Sequence, residues 1–287
     1  MNEQWLISRI TPLAGKRKEL ICGIGDDCAV YRAPGAKEDL VFTTDMLIEN
    51  VHFRTSTHTA EEIGHKALAR GLSDIAAMGA EPRFCLLSIA LPQTTPKRWI
   101  DGFYRGLLSL AGRTGTALAG GDLSHAEKIC CDITVCGAVP KNRALLRSGA
   151  KPGDAIYVSG VLGAAAVALD AGNVHRPEPR LDLGLRLRKV ASAAMDLSDG
   201  LSTDLRRMCV ASGVSANLSG ELPIAPGASL AQALHGGEDY ELLFTISQGK
   251  RPPPDATWIG AILEGKPGAV RFKGKPLRAQ GYDHFQK

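Results

Sequence analysis

The chain has no C-x-x-C pair, no apolar run near the ~18 residues that span a bilayer, no long stretch of one charge sign and no secretory leader pattern. Each absence removes a class of explanation. The seven cysteines, Cys22, Cys28, Cys85, Cys130, Cys131, Cys136 and Cys209, are odd in number and irregularly spaced, so buried free thiols are expected rather than a disulfide framework or a thiolate zinc site. A net charge of +4 without a basic tract makes nucleic acid an unexpected partner, while small phosphorylated ligands stay compatible. The opening Met1-Asn2-Glu3-Gln4-Trp5 carries no signal, and a soluble, cytoplasmic protein with no membrane partner is the expectation. Missing too are a Ser-His-Asp elbow, a P-loop, a Rossmann fingerprint and His-Glu-x-x-His, which leaves nucleophilic hydrolysis, Walker-type phosphate binding and zinc peptidase chemistry without support.

What is present is an ordinary globular composition, 44% hydrophobic and 22% charged over 287 residues, long enough for one large or two ordinary domains. Leu40 to Thr44 predicts a strand that ends by delivering Asp45. Thr59-Ala60-Glu61-Glu62 is a capping box for a helix with inner positions Ile63, Ala67, Leu68, Leu72, Ile75 and Ala76, closed by Gly79 and Pro82. Thr95-Pro96 opens a second helix, with Pro suited to its first position and Trp99, Ile100, Phe103, Leu107 and Leu110 inward. Thr116 to Ala119 predicts a strand running into a Gly120-Gly121-Asp122 turn, and Ile129 to Val139 another strand.

A basic, then turn-rich stretch from Lys141 to Asp154 holds the expected domain boundary, drawn between residues 146 and 147. Beyond it come a strand (Ala155 to Ser159), a Gly160-x-x-Gly163 turn, an Ala-rich helix to about Leu169 and a polar connector from Ala171 to Arg180. The expected fold class is α/β (α+β): two domains, each a mixed sheet covered by helices.

Six aspartates stand in short signatures beside small or hydroxyl residues: Asp27, Asp45, Asp74, Asp122, Asp196 and Asp199. Each alone reads as a turn residue, or, for Asp-x-Ser-Asp-Gly, as a helix entry with Ser202 as N-cap. Together they point to a hard cation, because crowded carboxylates repel unless neutralised and Mg²⁺ prefers oxygen donors shared with substrate phosphates. Three further residues admit two readings. His52 is either a phosphate-orienting group or a half-buried, backbone-satisfied histidine. Arg147 is either a bidentate phosphate grip or a solvated loop charge. Glu238, in His235-Gly236-Gly237-Glu238-Asp239-Tyr240-Glu241, either reaches a cationic ligand or sits at a hairpin turn.

Taken in order, Gly23-Ile24-Gly25-Asp26-Asp27, Thr43-Thr44-Asp45-Met46-Leu47, Asn50-Val51-His52-Phe53, Leu72-Ser73-Asp74-Ile75-Ala76-Ala77-Met78-Gly79-Ala80, Gly120-Gly121-Asp122, Met195-Asp196-Leu197-Ser198-Asp199-Gly200-Leu201, Gly236-Gly237-Glu238-Asp239-Tyr240-Glu241-Leu242 and Gly281-Tyr282-Asp283-His284-Phe285 resemble the thiamine-monophosphate kinase family of the aminoimidazole-ribonucleotide-synthetase-like superfamily. The resemblance implies a two-domain synthetase-like fold, generally a homodimer, with residues 1–146 binding Mg²⁺ and ATP and dimerising while 147–287 close the site. It implies metal ligation by Asp27, Thr43, Thr44, Asp45, Asp74, Asp122, Asp196 and Asp199. ATP contacts would come from Gly121, Asp122, Arg147, Ser198 and Tyr104, and thiamine monophosphate contacts from His52, Glu238 and Tyr282. The implied reaction is direct in-line transfer from ATP to the phosphate of thiamine monophosphate, with several Mg²⁺ per site. The nucleophile is already ionised, so no general base is expected. The chain is short for that family, with compressed connections around residues 171–180 and 220–235.

Overall fold

The computed structural model describes residues 3–285. Helix α1 (Glu3–Ile10) precedes β1 (Leu20–Cys22), β2 (Ala29–Tyr31), β3 (Glu38–Ile48), α2 (Ala60–Ala77), β4 (Glu81–Leu91), α3 (Lys97–Thr114), β5 (Ala117–His125) and β6 (Cys130–Pro140). The chain continues with β7 (Ala155–Ser159), α4 (Ala164–Asp170), α5 (Leu181–Leu187), β8 (Ala191–Asp196), α6 (Leu201–Ser212), β9 (Ser215–Leu218), α7 (Leu230–His235), β10 (Leu242–Ile246), β11 (Ala256–Leu263), β12 (Val270–Phe272) and β13 (Lys275–Pro276). The strands form one sheet ordered β1-β2-β3-β6-β4-β5 and another ordered β13-β12-β9-β11-β7-β10-β8. Pairing is antiparallel except for β4 with β5 and β12 with β9. The expected α/β class, with helices covering mixed sheets, is what the chain forms.

Strand β3 alternates as a one-sided strand must, with Asp39, Val41, Thr43 and Leu47 buried. It does not stop before Asp45. Met46-Leu47-Ile48 carry the alternation on and pair with Cys130 to Asp132 of β6, so Asp45 lies within the strand rather than at its end. Gly120-Gly121-Asp122 is likewise no turn. It continues β5 alongside β4, and the irregularity between Cys85 and Leu86 absorbs the odd register. Gly121 has φ 150°, and a Cβ there would stand 1.7 Å from the Leu87 carbonyl oxygen, so the glycine permits a close strand approach, not a reversal.

The Thr59 capping box forms as expected, Thr59 accepting from the Glu62 amide and Glu62 from the Thr59 amide. Helix α3 begins one residue later than predicted, with Pro96 as its N-cap. Helices α2 and α3 touch through glycines: a Cβ on Gly64 would lie 1.9 Å from the Phe103 carbonyl oxygen, and one on Gly106 1.9 Å from that of Glu61. Helix α6 is entered through Gly200, and the Ser202 hydroxyl contacts His235 Nδ1 instead of capping. The Asp204 carboxylate accepts the Asp199 and Gly200 amides in its place.

Residues 141–154 lead from the last strand of the first sheet to the first strand of the second. Helix α2 binds both. Its Ala76 and Ala77 share a core with Leu145, Leu183, Leu187 and Phe244, and Gly184 of α5 sits so close that a Cβ would meet the Ala76 carbonyl oxygen at 2.1 Å.

The entry to that crossover is pinned by Asp39, whose carboxylate accepts from Arg32 Nε at 2.5 Å and Nη2 at 2.8 Å and from the Asn142 amide at 2.8 Å. Hydrogen bonding from Arg32 holds its carboxyl below the usual range. A depressed folded-state pKa gives stability that is present above the unfolded value of about 3.9 and fades as pH falls through the folded one. Asp39→Asn is therefore expected to cost about 1–3 kcal/mol at pH 7, and denaturant titrations should show the gap to the parent closing below about pH 4.

Candidate active site

Asp27 follows the Gly25-Asp26 turn, Asp74 lies in the last turn but one of α2, and Asp196 ends β8 of the second sheet. These remote positions meet: one carboxylate oxygen from each lies within 4.8 Å of the others. Burial and then the neighbouring carboxylates push both Asp74 and Asp196 well above the usual carboxylate range, with Asp196, Asp45 and Asp27 acting on Asp74, and Asp27 and Asp204 on Asp196. Neutral donors hold two of them in place. Thr43 donates to Asp74 at 2.5 Å, and Ser73 to Asp196 at 2.8 Å, bridging the two sheets. Asp27 Oδ1 takes the Arg147 guanidinium, while Asp27 Oδ2 is buried without a hydrogen-bond partner among the described residues.

Asp45 joins this side of the sheet, its pKa raised by burial, and accepts from Arg70 at 3.0 Å. Asp199 pairs with Arg207, which also reaches Asp204 at 2.9 Å. Thr44 faces the other way. Its hydroxyl donates to Asp132 at 2.9 Å, and Asp132 is in register with Ser88, as Ser88 is with Asp122, so Thr44, Asp132 and Asp122 share the outer, solvent-facing side of the first sheet. The predicted metal ligands thus fall into a buried group and an exposed row on opposite faces.

The predicted substrate residues assemble beside the buried group. Glu238 has a positive φ of 65° and accepts from Lys66 at 2.8 Å; burial opposes its charge, but Lys66 and then Arg70 hold its carboxyl below the usual range. Lys66 also donates to the His52 carbonyl at 3.0 Å. His52 Nδ1 accepts the Ile48 amide, Nε2 is buried without a hydrogen-bond partner among the described residues, and burial followed by the Arg70 charge pushes its pKa down to about 4, leaving a neutral ring. The His284 ring stands edge-on to His52 at 5.1 Å and to Tyr282 at 4.8 Å, which ties the exposed Tyr282 to the same cluster.

Among the residues expected at ATP, Ser198 accepts the Glu238 amide through its carbonyl at 2.7 Å and so sits at the rim. Gly121 lies in β5 on the exposed edge. Tyr104 is half-buried against the first core, edge-on to Phe103 at 5.7 Å, and no described contact joins it to the carboxylates. Asp26, Asp239 and Glu241, read from the sequence as structural neighbours, are each engaged by the protein itself. Asp26 accepts the Arg147 amide, Asp239 accepts the Gly163 and Ala165 amides at the start of α4, and Glu241 pairs with Arg180.

Sequence reasoning missed Lys66, Arg70, Ser73, Asp132, Arg207 and His284. A signal existed for the first two: Lys66, Arg70 and Asp74 are spaced four apart and must share one face of α2.

A family model described as AIR synthase related protein, N-terminal domain, matches residues 25–139. The thiamine-monophosphate kinase of Salmonella typhimurium is 37% identical over 94% of this chain and 93% of its own length. That of Bacillus subtilis is 37% identical with complete coverage of both, across 326 aligned positions, so the alignment opens gaps in this shorter chain. Among solved structures, AaThiL complexed with AMPPCP and TMP superposes with a TM-score of 0.89 at 32% identity, covering 99% of this chain and 97% of that one. Thiamine-monophosphate kinase from Stenotrophomonas maltophilia K279a gives 0.77 at 37% identity, over 95% and 96%. Escherichia coli HypE, a hydrogenase maturation protein, gives 0.72 at 21% identity and 99% and 98% coverage, a likeness of fold alone.

Proposed function

The chain belongs to the thiamine-monophosphate kinase family, and we propose that it transfers the γ-phosphoryl group of ATP to thiamine monophosphate, giving thiamine diphosphate and ADP. The observation that carries this reading is the meeting of Asp27, Asp74 and Asp196 from both halves of the chain, with Asp27 Oδ2 buried and unpartnered among the described residues, beside the His52, Glu238 and Tyr282 cluster.

That donor set fits Mg²⁺: it is all oxygen, strongly self-repelling and holds a free buried acceptor. Asp27, Asp74, Asp196, Asp45, Asp199 and Thr43 would hold metal on the buried side, and Thr44 and Asp122 on the outer face. Bound there, Mg²⁺ supplies charge neutralisation for phosphates that otherwise repel. Arg147 approaches Asp27 through Oδ1 only, so one guanidinium can serve both that carboxylate and an ATP phosphate. Ser198, Gly121, Asp122 and, on helical position alone, Tyr104 complete the assigned ATP contacts. Neutral His52 offers Nε2 to the acceptor, Glu238 suits the cationic thiazolium, and Tyr282 presents an aromatic face. The chain's work is positioning, because the attacking phosphate oxygen needs no base.

Residues 1–146 would bind metal and nucleotide and 147–287 would close over the acceptor. A second copy of the chain is the proposed partner for the outer face of the first sheet, where Met46 and Leu86 are exposed on the side of Asp122. No described helix is long and apolar enough to cross a membrane, and all seven cysteines are free, which supports a cytoplasmic assignment. The purified protein, given thiamine monophosphate, ATP and Mg²⁺, is expected to form thiamine diphosphate and ADP one for one. ATP binding with no product under any metal condition would overturn the reading in favour of a nucleotide sensor.

A further inference from the structure

Lys66, Arg70 and Asp74 follow one another at four-residue steps along α2, which places Arg70 between the acceptor residues that Lys66 holds and the carboxylates that Asp74 joins. The Arg70 side chain is only 13% exposed. Its Nη2 donates to Asp45 Oδ1 at 3.0 Å and its Nη1 to the Met46 carbonyl at 3.2 Å. Nε is buried and has no hydrogen-bond partner among the described residues.

A guanidinium carries five N–H donors, and an unmet donor in a place that water does not reach is costly until an acceptor arrives. The Asp45 carboxylate already holds one end of the guanidinium, and the Met46 carbonyl takes another donor, which leaves Nε over. His52, whose carbonyl Lys66 holds one turn earlier on α2, likewise has a buried Nε2 with no hydrogen-bond partner among the described residues. Two orphaned nitrogens thus accompany the proposed acceptor contacts, beside acids that would repel an incoming anion. A planar guanidinium with a donor to spare after pairing with Asp45 is suited to a phosphate as well.

We propose that Arg70 is a catalytic residue that binds the phosphate of thiamine monophosphate and stays on it through the transfer. This assignment rests on the kinase reading above. In the step, a lone pair on an acceptor phosphate oxygen forms the new bond to the γ-phosphorus as the bond to the β–γ bridging oxygen breaks. The bonding pair leaves on ADP, no proton moves and Arg70 remains charged. Its bond to Asp45 fixes the guanidinium beforehand, so the donors need no reorganisation as the two phosphates close.

The test compares ligands with and without the phosphate. Arg70→Met is expected to lose about 100-fold or more in kcat/KM for thiamine monophosphate. By calorimetry it should bind thiamine monophosphate more weakly while binding thiamine, which lacks the phosphate, as the parent does. AMPPCP affinity should stay within about two-fold, since the acceptor and not the nucleotide loses its contact. Arg70→Lys should recover part of the loss, and if the Met variant does not fold it carries the same comparison. Equal weakening for thiamine and thiamine monophosphate, or an unchanged kcat/KM, overturns the proposal. A folded parent that forms no thiamine diphosphate refutes the kinase reading instead, and the binding comparison still reports on Arg70 by itself.

Discussion

Asp74→Asn is expected to lower turnover by about 10³-fold while leaving the protein as stable as the parent or more so when no divalent metal is added. The two effects have one cause. Asp74 is surrounded by Asp27, Asp45 and Asp196, and its carboxyl titrates well above the ordinary range because burial and those neighbours disfavour its charge. At neutral pH an acid whose folded-state pKa is raised costs stability wherever it is ionised, and the cost disappears once pH falls below its unfolded value of about 3.9. The amide keeps the shape, still accepts from Thr43, and removes the charge. What it cannot do is help a metal ion neutralise donor and acceptor phosphates. Thermal melts with chelator should show the variant level with or above the parent. Melts in Mg²⁺ should reverse the order, because a metal that binds the folded state stabilises the parent more. A variant with parental turnover would remove Asp74 from the chemistry.

Gly106→Val should unfold or severely loosen the first half of the protein, at a cost of about 3 kcal/mol or more. The new Cβ would fall 1.9 Å from the Glu61 carbonyl oxygen and 2.7 Å from its carbon, and both are backbone atoms that no rotamer change can move. Helices α2 and α3 would have to separate, and α2 carries Lys66, Arg70, Ser73 and Asp74. Activity should fall with stability, even though Gly106 is not a site residue. Gly112, on the same helix, provides the opposite control: nothing lies within 4 Å of its Cβ position, and Gly112→Ala should gain about 0.5–1 kcal/mol from helix propensity. Chemical denaturation of the two variants beside the parent settles both signs.

The features legible in the sequence are those with a local cause. The Thr59 box, the apolar periodicity of α2 and its Gly79 stop depend on residues a few positions apart, and they stand where spacing places them. Gly120-Gly121-Asp122 misleads because glycine reports the space around a backbone, and at Gly121 that space is set by Leu87 of a different strand. The acidic trio was legible as chemistry and illegible as geometry. Nothing in the spacing separates Asp122 and Thr44, on the outer face, from Asp27, Asp74 and Asp196, because which side of a sheet a residue takes depends on strand register. Lys66 and Arg70 look like solvated helix charges until the second sheet arrives with Glu238 and Tyr240.

The seating of Gly184 against the Ala76 carbonyl, beside a shared apolar core and the Ser73 to Asp196 bond, determines how the two halves of the chain can move. A seam packed that tightly is no hinge: parting the halves along it would strip Ala76, Ala77, Leu183 and Leu187 of their cover and break the carboxylate group at the same time. The two halves of the chain are thereby joined as one block, and any variant that opens this seam is expected to lose the meeting of Asp74 with Asp196 together with its stability.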